Sequence, residues 1–250
     1  MGADEFESPE SLIYGAGEDT TDFQSRYDAF VKSCRCVPVH EIDPQTRENI
    51  YKLRITNKIP GRLRYVANNI INNLRHSLDQ ALNAAAFELG YTKRDSYFPY
   101  GKDLDGLNEQ IKKQCPRIPD ELKEYIRDCK PYIGGNDLLW AICSLPGPRK
   151  HRISFNLNVN PPDFELFPLT FTGPGQIGFI GWDSDKQELH YARGGHIEFH
   201  GEPHLSVYIE ISTSPVLSGQ PAAGLLHECL GVVSGVVSGL KAQAALTKSG

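Results

Sequence analysis

A row of polar residues runs along the segment 62–89 at intervals of three or four: Asn68, Asn72, Arg75 and Asp79. An α-helix turns by about 100° per residue, so this spacing places the four side chains along one narrow edge. Arg75 and Asp79 are four residues apart, which lets their side chains form an ion pair. Such a row would either bind an anion through the arginine or satisfy the polar groups of neighbouring loops.

The densest basic run of the chain consists of Arg149, Lys150, His151 and Arg152. A guanidinium group makes two parallel hydrogen bonds to a phosphate or carboxylate, so one interpretation is an anion clamp. In the other interpretation, Lys150 or Arg152 pairs with Asp79 and ties the β-rich part of the chain to the helix. Both hold together if Arg75, Asp79 and Arg152 form a network that preorganises an anion site.

Four histidines lie in the β-rich part of the chain: His190, His196, His200 and His204. In a strand, His196, Glu198 and His200 share one face, with about 7 Å between neighbours. That separation is too long for one ion unless a neighbouring strand contributes, so a solvated face is favoured over a metal site. Six cysteines without paired C-x-x-C spacing indicate reduced, buried thiols. No metal or other cofactor is predicted.

The polar row requires a long helix, and the apolar residues supply one. They follow one arc: Leu63, Val66, Ile70, Leu74, Leu78, Ala81, Ala85 and Leu89. Pro60 and Gly61 introduce this stretch, and Gly90 is placed to end it as a C-terminal cap. The pattern predicts one long helix over 62–89 with its apolar arc facing the core.

Other elements are predicted on both sides of this helix. Helices are expected from Thr20 or Thr21 to Ser33, over 104–114, 119–129 and 137–144, and over 222–246. Strands are expected at 50–56, 153–159, 177–182, 188–191, 196–200 and 205–212. The order predicts an α+β fold, with a helical N-terminal half around the long central helix, an antiparallel β meander and a C-terminal helix.

Composition sets the expected organisation of the 250 residues. The acidic, polar residues 1–18 are predicted to be a disordered tail, followed by a single α+β domain over 19–250, with a possible sub-boundary at 146–148. The net charge of −5 provides no global attraction to nucleic acid or anionic membranes. The start of the chain lacks signal-peptide features, and no stretch has about 18 consecutive apolar residues, so a cytoplasmic protein without membrane contact is expected.

The C-terminal helix contains three glycines at intervals of four: Gly231, Gly235 and Gly239. Small residues at this spacing allow another helix to approach closely. The partner would be a helix of the same domain or the same helix of a second copy, which would make a homodimer.

The run Asn72–Gln80, NNLRHSLDQ, resembles the motif H-N-L-R-x-x-L-D-H of a large family of uncharacterised bacterial proteins. Further landmarks of that family follow in order: Phe98-Pro99, Lys130-Pro131-Tyr132, Leu138-Leu139-Trp140 and Lys150-His151-Arg152. The resemblance covers roughly residues 20–155.

The same motif is similar to the arginine and histidine signature of HEPN domains, which are helical modules of many bacterial toxins and defence proteins. Arg75 and His76 match the first positions and are the candidate catalytic residues, whereas Gln80 replaces the final histidine and Asn72 the first. Glutamine cannot exchange a proton near neutral pH, which argues against metal-independent ribonuclease activity. The replacement by Gln80 therefore favours binding or scaffolding over catalysis.

The first hypothesis is a non-catalytic, HEPN-like protein of a bacterial defence or stress system that binds a nucleotide, RNA or another anion. Its binding residues would be Asn68, Asn72, Arg75, Asp79, Lys150, His151 and Arg152. The alternative is a structural or interaction module with an internal polar network and self-association through the C-terminal helix. A metal-dependent enzyme built on the β-region histidines is the third hypothesis. Burial of Arg75 would favour the internal network.

Overall fold

The computed structural model describes residues 4–93, 95–145, 157–161, 168–201, 205–212 and 216–249. The helices are α1 (Glu7–Ser33), α2 (Gly61–Glu88), α3 (Leu104–Gln114), α4 (Asp120–Asp128), α5 (Asp137–Ser144) and α6 (Ala222–Ser249). The strands are β1 (Cys36–Ile42), β2 (Asn49–Ile55), β3 (Leu157–Asn160), β4 (Leu169–Asp183), β5 (Glu188–Phe199) and β6 (Tyr208–Ile211). The predicted α+β class with a C-terminal helix is confirmed.

The chain divides into two compact units, each made of more than one segment. The helical unit comprises 1–24, 62–156 and 211–250, and the sheet unit comprises 25–61 and 157–210. The sequence predicts one domain over 19–250, and its possible sub-boundary at 146–148 lies outside the described residues.

The core of the helical unit is organised around α2. Its predicted apolar arc is buried from Leu63 to Ala85. Gly90 follows the helix with a φ of 88°, a conformation that glycine adopts without steric cost. The Tyr91 amide donates to the Ala86 carbonyl at 3.1 Å and the Gly90 amide to the Phe87 carbonyl at 2.9 Å. These two bonds form a Schellman motif and end the helix where the sequence predicts.

α1 begins at Glu7 rather than at Thr20, so the expectation of disorder is wrong for residues 7–18. The start is stabilised by Asp4, whose carboxylate accepts the Phe6 amide at 2.9 Å. Lys241 of α6 also reaches this turn and pairs with the Glu10 carboxylate at 2.7 Å. These polar contacts, together with burial of Phe6, hold a segment whose acidic composition indicates disorder when considered alone.

The sheet unit contains a four-stranded antiparallel sheet with the order β1-β2-β5-β4 and a two-stranded sheet of β3 and β6. β1 was not predicted. It contains Pro38 and lies at the sheet edge, where proline is tolerated. β2, from the first quarter of the chain, pairs with β5, so the sheet joins two hairpins that are distant in sequence.

β5 continues through Gly194 and Gly195, where two separate strands, 188–191 and 196–200, were expected. Both glycines have positive φ values, 75° and 52°. They bend β5 without ending it, and the β4–β5 register shifts between Thr172 and Gly175.

α6 is long and apolar enough to cross a membrane by length and composition alone. Of its most apolar window, 44% is buried within the protein. The core helix of a soluble protein can have the same length and composition.

Candidate functional site

The candidate site is the polar edge of α2, and Arg75 is its centre. Only 8% of Arg75 is exposed. One terminal nitrogen lies 2.9 Å from the Asp79 Oδ1 atom, as the i, i+4 spacing predicts. The other donates a hydrogen bond to the carbonyl oxygen of Phe98 at 2.9 Å. The guanidinium group is therefore sealed inside the protein and paired there.

Asp79 completes a clamp on the backbone of Phe98. Its Oδ1 atom accepts the Phe98 amide at 2.7 Å, while Arg75 binds the carbonyl of the same residue. The Phe98 side chain itself is fully buried. One ion pair thus satisfies both polar backbone groups of a buried loop residue, groups that would be costly to leave without partners.

Asn83 repeats this arrangement one turn further along α2. Its Nδ2 atom donates to the Ser96 carbonyl at 2.8 Å and to the Asp79 carbonyl at 2.7 Å. Its Oδ1 atom accepts the Ser96 amide at 3.2 Å. Sequence reasoning missed Asn83, although it continues the four-residue spacing of Arg75 and Asp79. The three side chains together fix the backbone of the segment 96–98.

Two further groups surround the Arg75 guanidinium. The Tyr100 ring centroid is 5.8 Å from its Cζ atom, within the range of a cation–π contact. Burial raises the pKa of the Cys143 thiol to about 11, although its hydrogen bond with Arg75 acts in the opposite direction. Cys143 therefore remains a neutral thiol near pH 7 and is not an activated nucleophile.

The other predicted residues of the row do not join this cluster. Asn68 donates to the Arg64 carbonyl of its own helix at 2.9 Å. Asn72 and His76 are exposed, whereas Arg75 is buried. Gln80 is also exposed, and its side-chain oxygen accepts a hydrogen bond from the Ser8 hydroxyl at 2.7 Å. The row is thus divided between an internal part and a surface part.

The basic run Lys150, His151 and Arg152 lies outside the described residues. Its predicted contact with Asp79 and its predicted anion clamp therefore stay predictions.

The β-region histidines are placed individually. His200 Nε2 lies 2.6 Å from the Thr170 hydroxyl oxygen, and His196 is paired across the sheet with Thr172. His204 lies outside the described residues. Within the part of the chain that the structure describes, no three His, Cys, Asp or Glu side chains are grouped to hold a metal ion.

A second charged cluster, which the sequence did not indicate, lies in the sheet unit. Glu188 is fully buried and Lys52 is 5% exposed. Lys52 Nζ lies 2.5 Å from a carboxylate oxygen of Glu41 and 3.4 Å from one of Glu188, and Arg54 pairs with Glu188 at 2.5 Å. Burial lowers the pKa of Lys52, but the two carboxylates outweigh this and the pKa is raised. The cluster is electrically balanced and fixes three neighbouring strands.

Comparison with family models, curated proteins and solved structures finds no match to this chain.

Proposed function

We propose that this protein is a non-catalytic interaction module, in which the α2 network is an internal brace and α6 binds a second copy of the chain. This corresponds to the structural alternative of the sequence analysis. The observation that carries the internal brace is the burial of Arg75, which is paired with Asp79 and bonded to the Phe98 carbonyl.

Burial argues against Arg75 as an anion ligand. A guanidinium that binds RNA or a nucleotide must present its N–H groups to the ligand. Here the group is buried, with one terminal nitrogen bonded to the Phe98 carbonyl and the other paired with the Asp79 carboxylate. An anion would have to displace a carboxylate and leave the Phe98 amide without its acceptor.

Proton transfer beside Arg75 is equally unsupported. The only histidine of the motif, His76, is exposed, and Gln80 cannot act as an acid or base near neutral pH. The thiol that hydrogen-bonds with Arg75, Cys143, has its pKa raised by burial. These groups support a structural role for the motif.

The glycines of α6 divide between internal packing and an open surface. A Cβ atom at Gly239 would overlap the Tyr125 side chain of α4, whose hydroxyl donates to the Val236 carbonyl at 3.2 Å. Gly231 and Gly235 are exposed, and a Cβ atom there would meet nothing within 4 Å among the described residues. Internal packing therefore accounts for Gly239 alone.

The exposed side of α6 has the spacing of a helix–helix seam. From Gly231 onward, its exposed small residues alternate at separations of four and three: Gly231, Gly235, Ser238, Ala242 and Ala245. A stripe of small side chains allows close approach of a second helix that also carries small side chains, and the α6 of a second copy is such a helix.

Sedimentation velocity over a range of protein concentrations tests this proposal. We expect the native chain to form dimers and Gly235→Leu to shift it towards monomers, because leucine would hold the helices apart. Gly15→Leu is the matched control, since Gly15 is also a helical glycine with nothing within 4 Å of an added Cβ. Leucine favours helices more than glycine, so unfolding would not explain a loss of dimers. A native chain that is monomeric throughout would overturn the self-association proposal.

Calorimetric titration with a mononucleotide and a short single-stranded RNA tests the non-binding role of Arg75. We expect no saturable binding that depends on this residue. Binding by the native chain that disappears in Arg75→Lys would overturn the structural assignment, because lysine keeps the charge and loses only the forked donor geometry.

A further inference from the structure

A small pocket lies where β5 bends in the sheet unit. Its volume is about 190 Å³. Five of its eight lining residues carry a planar ring: His40, Tyr51, Tyr191, His196 and Phe199. The other three are apolar. This concentration of rings is unrelated to the α2 network and to the α6 surface.

The bend of β5 creates the pocket. Tyr191 precedes Gly194 and Gly195, whereas His196 and Phe199 follow them, and the positive φ values of the glycines let both groups line one cavity. A Cβ atom at Gly195 would lie only 2.6 Å from the Phe171 ring. Glycine is therefore required for the close packing at the bend, and the cavity is built into the strand.

The ring walls are held in place before any ligand arrives. His40 stacks on Tyr51 with 4.8 Å between ring centroids and an interplanar angle of 13°. His40 Nε2 lies 2.9 Å from the side-chain oxygen of Asn49. The side-chain nitrogen of Asn49, Nδ2, donates a hydrogen bond to the Gly195 carbonyl at 2.7 Å. This chain of bonds connects the stack on β1 and β2 to the bend of β5, so the pocket is preorganised.

Charge and size restrict the ligand. None of the eight lining residues is a lysine, arginine, aspartate or glutamate, so the pocket offers no permanent charge to an ionic ligand. The volume is below the roughly 300–1,000 Å³ of pockets that enclose drug-sized molecules. Ring faces favour stacking with a flat molecule. The His196 imidazole and the second ring nitrogen of His40, Nδ1, provide hydrogen-bonding atoms on exposed residues, while His40 Nε2 is bonded to Asn49.

From these features we propose that the pocket binds a neutral, planar nitrogen heterocycle of nucleobase size. The ring would stack on the aromatic walls, and its polar edge would bind the imidazole nitrogens. This site is independent of the proposed self-association, because its residues all belong to the sheet unit and α6 belongs to the helical unit.

Isothermal titration calorimetry of the full chain with adenine, guanine, cytosine and uracil tests the inference. We expect saturable binding of at least one base, weakened about tenfold or more by His40→Ala or His196→Ala, since stacking and edge contacts contribute on that scale. Both histidines are exposed, so neither substitution removes a buried core side chain. His200→Ala is the matched control. His200 is also an exposed histidine, directly after the last residue of β5, but it contacts Thr170 and does not line the pocket.

Four results would contradict the inference. One is the absence of saturable binding with all four bases. Another is equal affinity of the native chain and both pocket variants. The third is tighter binding of tetramethylammonium than of any base, which would identify the rings as a cage for cations. Loss of binding in His200→Ala to the same extent would also contradict the assigned location.

Discussion

Arg75 in the helical unit and Lys52 in the sheet unit are both buried cations, with 8% and 5% of their surfaces exposed. Each faces a carboxylate, but the remaining partners differ. Arg75 and Asp79 together bind the backbone of Phe98, whereas the Lys52 ammonium lies between the carboxylates of Glu41 and Glu188. A network that includes backbone groups fixes the path of a loop. A network of side chains alone ties together strands that backbone hydrogen bonds already align.

The largest effect is expected for Asp79→Ala. This change removes the partner of a buried arginine and leaves the Phe98 amide without its acceptor. Breaking a buried pair in this way costs about 3–5 kcal/mol of unfolding free energy, which urea denaturation monitored by circular dichroism would measure.

Asn83→Ala is the matched comparison for Asp79→Ala. It removes the side-chain partner of the neutral Ser96 amide and carbonyl, and it leaves no charged group without its partner. We expect a smaller cost of about 1–3 kcal/mol. Equal losses in the two variants would show that the charge of the pair contributes nothing beyond its hydrogen bonds.

Glu188→Gln should lower the free energy of unfolding by about 1.5–3 kcal/mol, which is less than the loss expected for Asp79→Ala. The glutamine keeps the shape of the side chain, and Lys52 retains Glu41 as a partner. Glu41→Gln is the control, and its cost should stay within about 1 kcal/mol because Glu41 is half exposed. A loss for Glu188→Gln as large as that for Asp79→Ala would remove the distinction between the two networks.

The smallest effect concerns pH and belongs to His190. Burial and Lys52 lower the pKa of His190, against the opposing influence of Glu188, Asp183 and Glu41. Its Nε2 atom is buried without a hydrogen-bond partner among the described residues, so protonation would create an N–H group that has no acceptor there.

The unfolded chain therefore binds a proton at His190 more readily than the folded chain does. This contribution to stability is present above the ordinary histidine pKa of about 6.5 and is lost as the pH falls through the lower pKa of the folded state. Urea midpoints between pH 7 and pH 5 should fall less steeply in His190→Gln than in the native chain. The same slope in both chains, with His227→Gln as a surface control, would rule out His190 as the cause.

Local sequence determined the elements that depend on neighbouring residues. The apolar arc and Gly90 are sufficient to place α2, and the four-residue spacing predicted the Arg75–Asp79 pair. The binding of that pair to Phe98 could not be predicted from local sequence. Phe98 belongs to an irregular segment after the helix and contributes backbone groups rather than a recognisable side chain.

Elements that depend on pairing between distant parts of the chain have no local signature in the sequence. β1 is an edge strand with mixed polarity, and the pairing of β2 with β5 joins distant parts of the chain. The Lys52–Glu188 contact depends on that pairing, so no local pattern could indicate it. The start of α1 was missed for the same reason, since Lys241 stabilises it from the opposite end of the sequence.

The clamp on Phe98 has a consequence for how this protein can change. Asp79 and Arg75 recognise an amide and a carbonyl, which almost every amino acid carries, so the hydrogen bonds do not depend on which residue occupies position 98. They do depend on which residue of the segment lies opposite Arg75 and Asp79. Within the segment 96–98, insertion or deletion of a single residue would present the wrong peptide groups to the helix, because Asn83 binds those of Ser96 and Asp79 and Arg75 bind those of Phe98. The length of this segment is constrained more strictly than the residue type at position 98.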